Sequence, residues 1–482
     1  MPNESTLAER IADFAVSFPY DKLPNEVIQS VKSRVLDILG ICVAATALPT
    51  SEMALAYALG QGGAEQAHAI GAAGALPANL AAFVNGVLAH SLDYDDTHLP
   101  SVLHPSATVI PAALAAAEMN GANGTETIAA IACGLEVCVR LGMAGYNEKD
   151  RNSTFFDNGQ HATSICGALG AAVSVALIQG FDATGIVDSL GVVASMASGI
   201  IEANRTGGTV KRMHCGWAAN SALAACQLVK YGFTGPPSVL EGRFGFFQAW
   251  LHGVYNPAAI TDGLGIRWEV PGIFFKPYPA NHFTHTAIDA AIAIRKRGVD
   301  LDKIASISLG VAAPILNTIG EPIEVKRTPE TGYMAQFSGP YAVTAGLLGG
   351  GGLGVGLDDY TDALARDPRR RELMAKVEVV ASERCGEIFP NQFPSVLTVT
   401  LTDGSQMVEE VLFNRGGSQR PLSYQELETK FRDNARRVLP PEKVANLQEV
   451  LGNLENLTQI ASIFDHLGTE TVKSGGVKTG NI

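Results

Sequence analysis

Ionisable side chains are concentrated in the segment 89–106, AHSLDYDDTHLPSVLHPS, which follows an apolar stretch of helical character. Its histidines and aspartates are His90, Asp93, Asp95, Asp96, His98 and His104. Three aspartates within four positions repel one another unless cations, hydrogen bonds or a chemical task offset the repulsion. Because a carboxylate that orients an imidazole can transfer protons near neutral pH, the segment indicates acid–base chemistry.

Two other interpretations of this segment stay open. An Asp-x-Asp-Asp sequence in a helical protein is similar to the Mg²⁺-diphosphate site of all-α terpene synthases, although the chain has no second metal-binding motif of that class. Alternatively, the segment is a polar loop whose acids cap a helix that begins near Pro105 or Ser106. We favour acid–base chemistry and expect no metal.

Cationic and imidazole side chains stand beside two later helix starts. In FDNGQHATSICG (156–167), His161 precedes an apolar helix, whose free N–H groups and dipole favour a bound anion. In NRTGGTVKRMHCGWAAN (204–220), a glycine turn leads to Lys211, Arg212 and His214, which form a candidate anion clamp in an acidic chain. Each segment alone can equally be a simple helix-start histidine or a solvated basic turn.

A fourth segment, FFKPYPANHFTH (274–285), places Lys276 among aromatic residues and prolines, with His282 and His285 close after it. A lysine in apolar surroundings titrates readily or binds a carboxylate. The prolines stiffen the segment, which suits a pocket wall or a domain hinge. The alternative is a plain linker at a domain boundary.

Helices are predicted to hold these segments in place. Thr6 followed by Glu9 is a capping-box pattern at the start of the first helix. Segments rich in Ala and Gly predict further helices near 78–91, 106–119, 125–143, 161–179, 185–200 and 216–230. Small residues allow helix axes to approach closely, so the pattern predicts a tightly packed helical bundle.

The pattern changes after about residue 265. Strands are predicted over 304–311 and 377–380, and a hairpin over 395–412 around Asp403-Gly404, before helical periodicity returns at 423. We therefore predict a mainly α protein with a large helical domain and a smaller inserted α+β lid domain. The predicted boundaries are 1–269 and 416–472 for the helical domain, 270–415 for the lid, and 473–482 for a flexible tail.

Composition narrows the classes of function. The 482 residues include 35 Lys+Arg against 48 Asp+Glu, and this acidic balance argues against a nucleic-acid partner. With 46% hydrophobic and 17% charged residues the chain is not disordered, and no uninterrupted apolar run of about 18 residues indicates a membrane span. Seven scattered cysteines without a C-x-x-C pair and a polar N-terminus favour a cytoplasmic location.

These four segments, in this order, resemble the MmgE/PrpD family, which includes 2-methylcitrate dehydratase, cis-aconitate decarboxylase and iminodisuccinate epimerase. The matching stretches are AHSLDYDDTH…HPS (89–106), NGQHATSICG (158–167), GGTVKRMHCGWAAN (207–220), VLEGRFGFF (239–247) and KPYPANHFTH (276–285). The resemblance covers about residues 5–465. It implies a cofactor-independent, homodimeric enzyme with its pocket between a helical domain and a lid domain.

The resemblance also carries site residues onto this chain. Those that match functional residues of the decarboxylase branch are Asp93, Thr97, His104, His161, Lys211 and Lys276. We predict catalytic roles for His104, His161, Asp93 and Lys211, and substrate binding by Thr97, Lys276, Arg212 and His282. The family's pocket tyrosine falls near Leu316, and the Trp-Gly-His-Pro stretch of true 2-methylcitrate dehydratases is here Val102-Leu103-His104-Pro105.

The implied function is a lyase, either a dehydratase or a decarboxylase, acting on a small di- or tricarboxylate such as 2-methylcitrate or cis-aconitate. Proton loss or gain beside a carboxylate requires fixed cations and an acid–base group. We expect Lys211 and Lys276 to bind the carboxylates, His104 and His161 to transfer protons, and Asp93 to orient an imidazole. The alternatives are an epimerase of a dicarboxylate such as iminodisuccinate and a non-catalytic carboxylate-binding protein.

Overall fold

Helices dominate the computed structural model, which describes residues 5–149, 151–203 and 208–467. The helices before residue 270 are α1 (Leu7–Ser17), α2 (Asn25–Ala45), α3 (Pro49–Gln61), α4 (Ala78–His90), α5 (Ser106–Asn120), α6 (Gly124–Ala144), α7 (Thr154–Asp157), α8 (Ala162–Ile178), α9 (Ala183–Val193), α10 (Val210–Lys230), α11 (Phe246–Leu251) and α12 (Pro257–Thr261). Two short antiparallel pairs, β1 (Ala67–His68) with β2 (Ala75–Leu76) and β3 (Tyr146–Asn147) with β4 (Asn152–Ser153), link helices of this part. The prediction of a mainly α protein is confirmed.

The rest of the described chain mixes helices with one larger sheet. Its helices are α13 (His285–Lys296), α14 (Ala313–Ile319), α15 (Ile323–Arg327), α16 (Gly332–Ala335), α17 (Gly339–Leu348), α18 (Asp362–Ala365), α19 (Pro368–Ala375), α20 (Glu383–Ile388), α21 (Tyr424–Ala435) and α22 (Pro441–Gly452). Its strands are β5 (Ile304–Val311), β6 (Val377–Ala381), β7 (Ser395–Leu401) and β8 (Gln406–Val411), in the order β6-β5-β7-β8. Strand β6 runs parallel to β5, and the other neighbours are antiparallel.

Local sequence signals account for several of these elements. The Thr6 hydroxyl accepts a bond from the Glu9 N–H (3.2 Å), and the Glu9 carboxylate accepts one from the Thr6 N–H (2.7 Å), so the predicted capping box starts α1. The predicted hairpin pairs β7 with β8, with Gly404 in the left-handed region (φ 85°) at the turn. The predicted strands over 304–311 and 377–380 are also present.

Glycines allow the central helices to pack closely. A Cβ added to Gly86 of α4 would lie 2.7 Å from the Cα of Gly216 in α10, and one added to Gly170 of α8 would lie 2.5 Å from the Gly134 carbonyl of α6. No larger residue fits at such contacts, so the small residues set the distance between these helices. The antiparallel packing of α4 on α10 brings the C-terminus of α4 beside the N-terminus of α10.

The buried side chains form two main apolar cores. One contains residues of α1–α12 together with residues between Leu422 and Leu467, so the last helices pack against the first ones. The other contains residues between Ala287 and Val411, around the four-stranded sheet. A buried ion pair between Lys430 of α21 and Asp37 of α2 (2.7 Å) joins the two ends of the first core. The domain boundaries at 269 and 415 stay predictions.

Two helix boundaries differ from those predicted. Helix α9 ends at Val193 rather than near 200, and α10 begins at Val210 rather than at 216. Lys211, Arg212 and His214 were expected to lead into this helix, and they lie in its first turns instead. Asp93 lies 3.9 Å from Lys211 there. Gly207 and the predicted tail 473–482 lie outside the described residues.

One described helix, α6, has the length and apolar composition of a membrane span. Within its apolar window, 94% of the residues are buried inside the fold, where α8 packs along it. A core helix of a large bundle has the same composition.

Candidate active site

The four segments with acid–base or cationic residues meet where the two cores join. Asp93 contacts Lys276 across 183 residues of sequence (3.2 Å) and Lys211 (3.9 Å). The ring of His90 lies 5.4 Å from that of His104 and 5.6 Å from that of His161. The loop after α4, the starts of α8 and α10, and the segment before α13 therefore form one buried cluster.

Asp93 holds the two lysines of the cluster. Its backbone is in the left-handed region (φ 52°), an unfavourable conformation that Asp tolerates better than most residues. The Lys276 ammonium donates to the Asp93 carbonyl (2.9 Å) as well as to its carboxylate. Burial alone would raise the pKa of Asp93, but Lys276 and Lys211 lower it to about 2. The prediction that Asp93 orients an imidazole is therefore wrong, because its carboxylate faces ammonium groups.

The two lysines differ in exposure. The Lys276 side chain is 1% exposed and that of Lys211 is 21% exposed, so Lys211 stands nearer the solvent side of the cluster. Burial alone would lower the pKa of Lys211, but the Asp93 carboxylate raises it above the usual value. Lys211 is therefore a cation throughout the physiological pH range.

His104 is held in a single tautomer. Its Nδ1 lies 2.6 Å from the carbonyl oxygen of Asp96, and since a carbonyl can only accept, Nδ1 carries the proton. The Thr97 hydroxyl lies 3.2 Å from the same nitrogen. Burial, reinforced by Lys276, lowers the pKa of His104 to about 3. In the free protein His104 is thus neutral, with a lone pair on Nε2.

His161 pairs with a second histidine. Its ring Nδ1 lies 3.0 Å from Nδ1 of His214. Its backbone N–H, at the start of α8, donates to the Gly199 carbonyl (3.0 Å). Burial lowers the pKa of His161 well below the usual range and that of His214 to about 4. Both rings are neutral near pH 7, so one nitrogen of the pair donates and the other accepts.

His90 and Asp95 form an imidazole–carboxylate pair that the sequence did not single out. Nδ1 of His90 lies 2.7 Å from a carboxylate oxygen of Asp95, and both side chains are at most 1% exposed. Burial alone would raise the pKa of Asp95, but its neighbours His90 and Lys276 hold it well below the usual range. Among the three aspartates, Asp95 is thus the one paired with an imidazole, whereas Asp93 is paired with ammonium groups.

Asp96 has a structural role. Its carboxylate binds the Arg34 guanidinium (2.7 Å) and accepts bonds from the N–H and hydroxyl of Ser106 at the start of α5. Burial raises the pKa of Asp96 despite its partner Arg34. The interpretation of the segment as a helix cap is thus correct for this aspartate.

The three carboxylates point to different partners, namely lysines, a histidine and an arginine. Within residues 5–149, 151–203 and 208–467, no group of three or more His, Cys, Asp or Glu side chains is arranged to hold a metal ion. This geometry does not favour the interpretation of the Asp-rich segment as a metal site.

His282 lies in the same cluster and has unpaired nitrogens. It is 6% exposed and packs edge-on against the rings of Phe274 (5.6 Å) and Phe393 (5.3 Å), and neither ring nitrogen has a hydrogen-bond partner in the described part of the chain. Burial, reinforced by His285 and Lys276, lowers the pKa of His282 well below the usual range. A buried polar atom without a partner is destabilising, so these nitrogens are available to a bound ligand.

Arg212 and Leu316 are placed outside the cluster core. Arg212 donates to the Thr50 hydroxyl (3.3 Å) and lies over the ring of Tyr333 in α16 (5.4 Å). Leu316 packs against the second apolar core, and the placement of the family's pocket tyrosine near it stays a prediction. Tyr333 is half exposed and lies near Lys211 and Arg212. Nothing in its sequence surroundings marks it.

Comparison with known proteins gives a consistent result. Residues 9–257 match the family described as the MmgE/PrpD N-terminal domain, and residues 278–456 match the one described as the MmgE/PrpD C-terminal domain. Human cis-aconitate decarboxylase is 30% identical over 454 residues, covering 90% of this chain and 89% of its own. The Aspergillus terreus cis-aconitate decarboxylase is 25% identical over 480 residues, 96% of each chain. The mitochondrial 2-methylcitrate dehydratase of Yarrowia lipolytica is 28% identical over 221 residues, 44% of this chain and 41% of its own.

Proposed function

The chain is an enzyme of the MmgE/PrpD family, and we propose that it is a cofactor-independent lyase that decarboxylates or dehydrates a small di- or tricarboxylate. The observation that carries the proposal is the convergence of Lys211 and Lys276 on one carboxylate, that of Asp93, beside neutral histidines. Two ammonium groups are held on one carboxylate, and the more exposed of them, Lys211, can bind a substrate carboxylate.

The same residues can perform the chemistry. Removal of carbon dioxide or a proton leaves an electron pair beside a carboxylate, and fixed ammonium groups stabilise that charge in a buried site. Nε2 of His104, fixed as the basic nitrogen, takes or returns the proton, and the His161–His214 pair is the second acid–base group. A substrate with two or three negative charges raises the pKa of these histidines toward neutrality, where proton transfer is most effective.

Decarboxylation of cis-aconitate is the first activity to test. The cis-aconitate decarboxylases match along nearly the full chain, whereas the match to 2-methylcitrate dehydratase covers less than half of it. In that reaction the bond to one carboxyl carbon breaks and carbon dioxide leaves. The electron pair delocalises over the adjacent double bond and carboxylate, and carbon takes one proton from an acid group of the site, which solvent later replaces.

We also propose that the enzyme is a homodimer. Support comes from apolar side chains exposed on the neighbouring helices α3 and α10, namely Met53 (64%), Tyr57 (48%), Met213 (37%) and Trp217 (38%). Paired copies would cover this surface. Light scattering coupled to gel filtration tests the proposal: a mass of two chains supports it, and a monomer at micromolar concentration contradicts it.

Proton NMR in D₂O, with EDTA present, tests the proposed activity. The protein is incubated separately with cis-aconitate, 2-methylcitrate, citrate and iminodisuccinate. We expect itaconate signals from cis-aconitate. New olefinic signals from 2-methylcitrate or citrate would indicate dehydration instead, and deuterium uptake without a new product would indicate epimerisation.

Two outcomes would contradict the proposed lyase. A protein that binds these carboxylates without turnover, as measured by calorimetry, would be a binding protein. Activity that is lost in EDTA and restored by Mg²⁺ would show that a metal is required. The Lys276→Met variant is the negative control, since it removes the buried ammonium while keeping a side chain of similar length.

A further inference from the structure

The His90–Asp95 pair lies in the middle of the cluster, and the proposed reaction assigns it no step. Asp95 is fully buried and accepts from Nδ1 of His90 at 2.7 Å, which fixes the His90 ring and leaves Nε2 as its reactive nitrogen. Nε2 of His90 is buried and has no hydrogen-bond partner among the described residues. The pair therefore has the geometry of an oriented acid–base group whose Nε2 can bind a substrate atom or a water molecule.

The position of His90 between the two predicted acid–base histidines is the second observation. Its ring lies at nearly equal distances from the rings of His104 (5.4 Å) and His161 (5.6 Å), with neither of which it forms a hydrogen bond. At this spacing one substrate atom or one water oxygen can contact His90 and a neighbouring ring together. A histidine kept only for packing would have both nitrogens paired or an apolar residue in its place.

Resting on the lyase activity proposed above, we propose that His90 is a third acid–base residue of this site and that Asp95 is its positioning residue. In the protonated state His90 carries a proton on each nitrogen and is paired with the Asp95 carboxylate. The Nε2–H bond breaks as the proton passes to the substrate, directly or through one water, and the imidazole becomes neutral with its remaining proton on Nδ1. Solvent supplies the replacement proton between turnovers.

Three variants of the full-length protein test the proposal. His90→Gln removes the titratable ring, and Asp95→Asn removes the negative charge beside it. His98→Gln is the matched control, because His98 is a buried histidine of the same segment whose ring bonds Ser101 (2.8 Å). For each variant kcat, KM and the pH dependence of kcat are measured with the substrate that the wild-type protein turns over, and folding is checked by thermal melting.

We expect His90→Gln to lower kcat about 10²- to 10³-fold, the usual contribution of an acid–base group, with KM changed less than about threefold. Asp95→Asn removes the negative charge beside the His90 ring, so the basic limb of the kcat profile moves to lower pH. A merely structural role would not move that limb. His98→Gln keeps wild-type kcat within about twofold.

A folded His90→Gln variant with kcat within threefold of wild type and an unchanged pH profile would overturn the role of His90 and leave the lyase function standing. If His90→Gln does not fold, the Asp95→Asn variant decides. A kcat profile whose basic limb stays at the wild-type pH overturns the role of His90. Wild-type protein that turns over no substrate of the panel would instead overturn the proposed function, and the role of His90 with it.

Discussion

At the scale of the residue, the site depends on charges that are balanced only in part. Lys211 and Lys276 share the Asp93 carboxylate, Asp95 is paired with His90, and burial keeps His104 and His161 neutral in the free protein. The ammonium groups are therefore in place for an anion before any ligand arrives. Two predictions follow from this charge balance.

The first concerns Lys276. Replacing it by Met removes a cation that is 1% exposed and leaves the Asp93 carboxylate with Lys211 alone. We expect the affinity for a tricarboxylate to fall at least about 100-fold, since a charge-assisted contact in a buried site contributes roughly 3 kcal/mol. Calorimetric titration with propane-1,2,3-tricarboxylate, which lacks the reactive double bond, measures the change. An affinity within threefold of wild type would show that Lys276 does not contact the ligand.

The second concerns proton uptake. His104 and His214 have pKa values of about 3 and 4 in the free protein, so both are unprotonated at pH 7. A bound polyanion raises these pKa values, and binding should therefore take up protons from solution. Titration of the same saturated tricarboxylate in two buffers of different ionisation enthalpy measures the number of protons. Zero uptake between pH 6 and 7.5 would contradict the prediction.

At the scale of the element, helix packing sets the positions of the reactive groups. His90 ends α4, Lys211 and His214 lie in the first turns of α10, and the two helices approach through Gly86 and Gly216. The glycine contact therefore sets the distance between His90, at the end of α4, and Lys211, at the start of α10, although neither glycine has a side chain in the site.

Widening this helix contact should impair both stability and activity. A Cβ at Gly216 would lie 2.3 Å from the Phe83 carbonyl, so Gly216→Val forces α4 and α10 apart. We expect a loss of about 2–4 kcal/mol in the free energy of unfolding and a fall in kcat, measured by urea denaturation and NMR turnover. Gly60→Ala in α3 is the control: a Cβ there meets no atom within 4 Å, so it should be neutral or slightly stabilising.

Element boundaries also show what the sequence could predict. The capping box of Thr6, the Asp403-Gly404 hairpin and the strand runs are local signals, and each element formed as expected. Other contacts join distant parts of the chain and carry no local signal. Asp93, the partner of Lys211, is more than 100 residues before it, and Tyr333 lies under Arg212 from a later part of the chain. Patterns of spacing indicate which residues carry chemistry, whereas tertiary contacts decide which residues pair.

At the scale of the whole molecule, several histidines are buried in neutral form. Burial lowers the pKa of His98, His104 and His285 to about 3 and that of His214 to about 4, from 6.5. Between these values and 6.5 the unfolded chain binds more protons than the folded one, so folding stability falls as the pH falls below 6.5. Glu136, with a pKa raised to about 6, has the opposite effect, as do the buried carboxyls of Asp37, Asp96, Asp289 and Asp359, whose pKa values burial raises; these groups reduce the net loss of stability.

We expect the melting temperature to drop by roughly 5–10 °C between pH 7 and pH 5, well above the range in which carboxylates such as Asp93 are protonated. Differential scanning calorimetry at constant ionic strength measures it. His98→Gln should reduce the drop, because it removes one buried titrating group that lies outside the site. A melting temperature that is constant from pH 7 to 5 would contradict this account.

The return of the last helices to the first core has a consequence for synthesis on the ribosome. The counter-ion of Asp37, Lys430, is synthesised 393 residues after it. Phe431, which packs beside Gly40, is added only then. Until then α2 exposes an unpaired carboxylate and an apolar face that the finished protein buries. The growing chain therefore completes its larger core only late in translation, and the loop after α4 gains the bond from Lys430 to the Tyr94 carbonyl (3.1 Å) at the same late point.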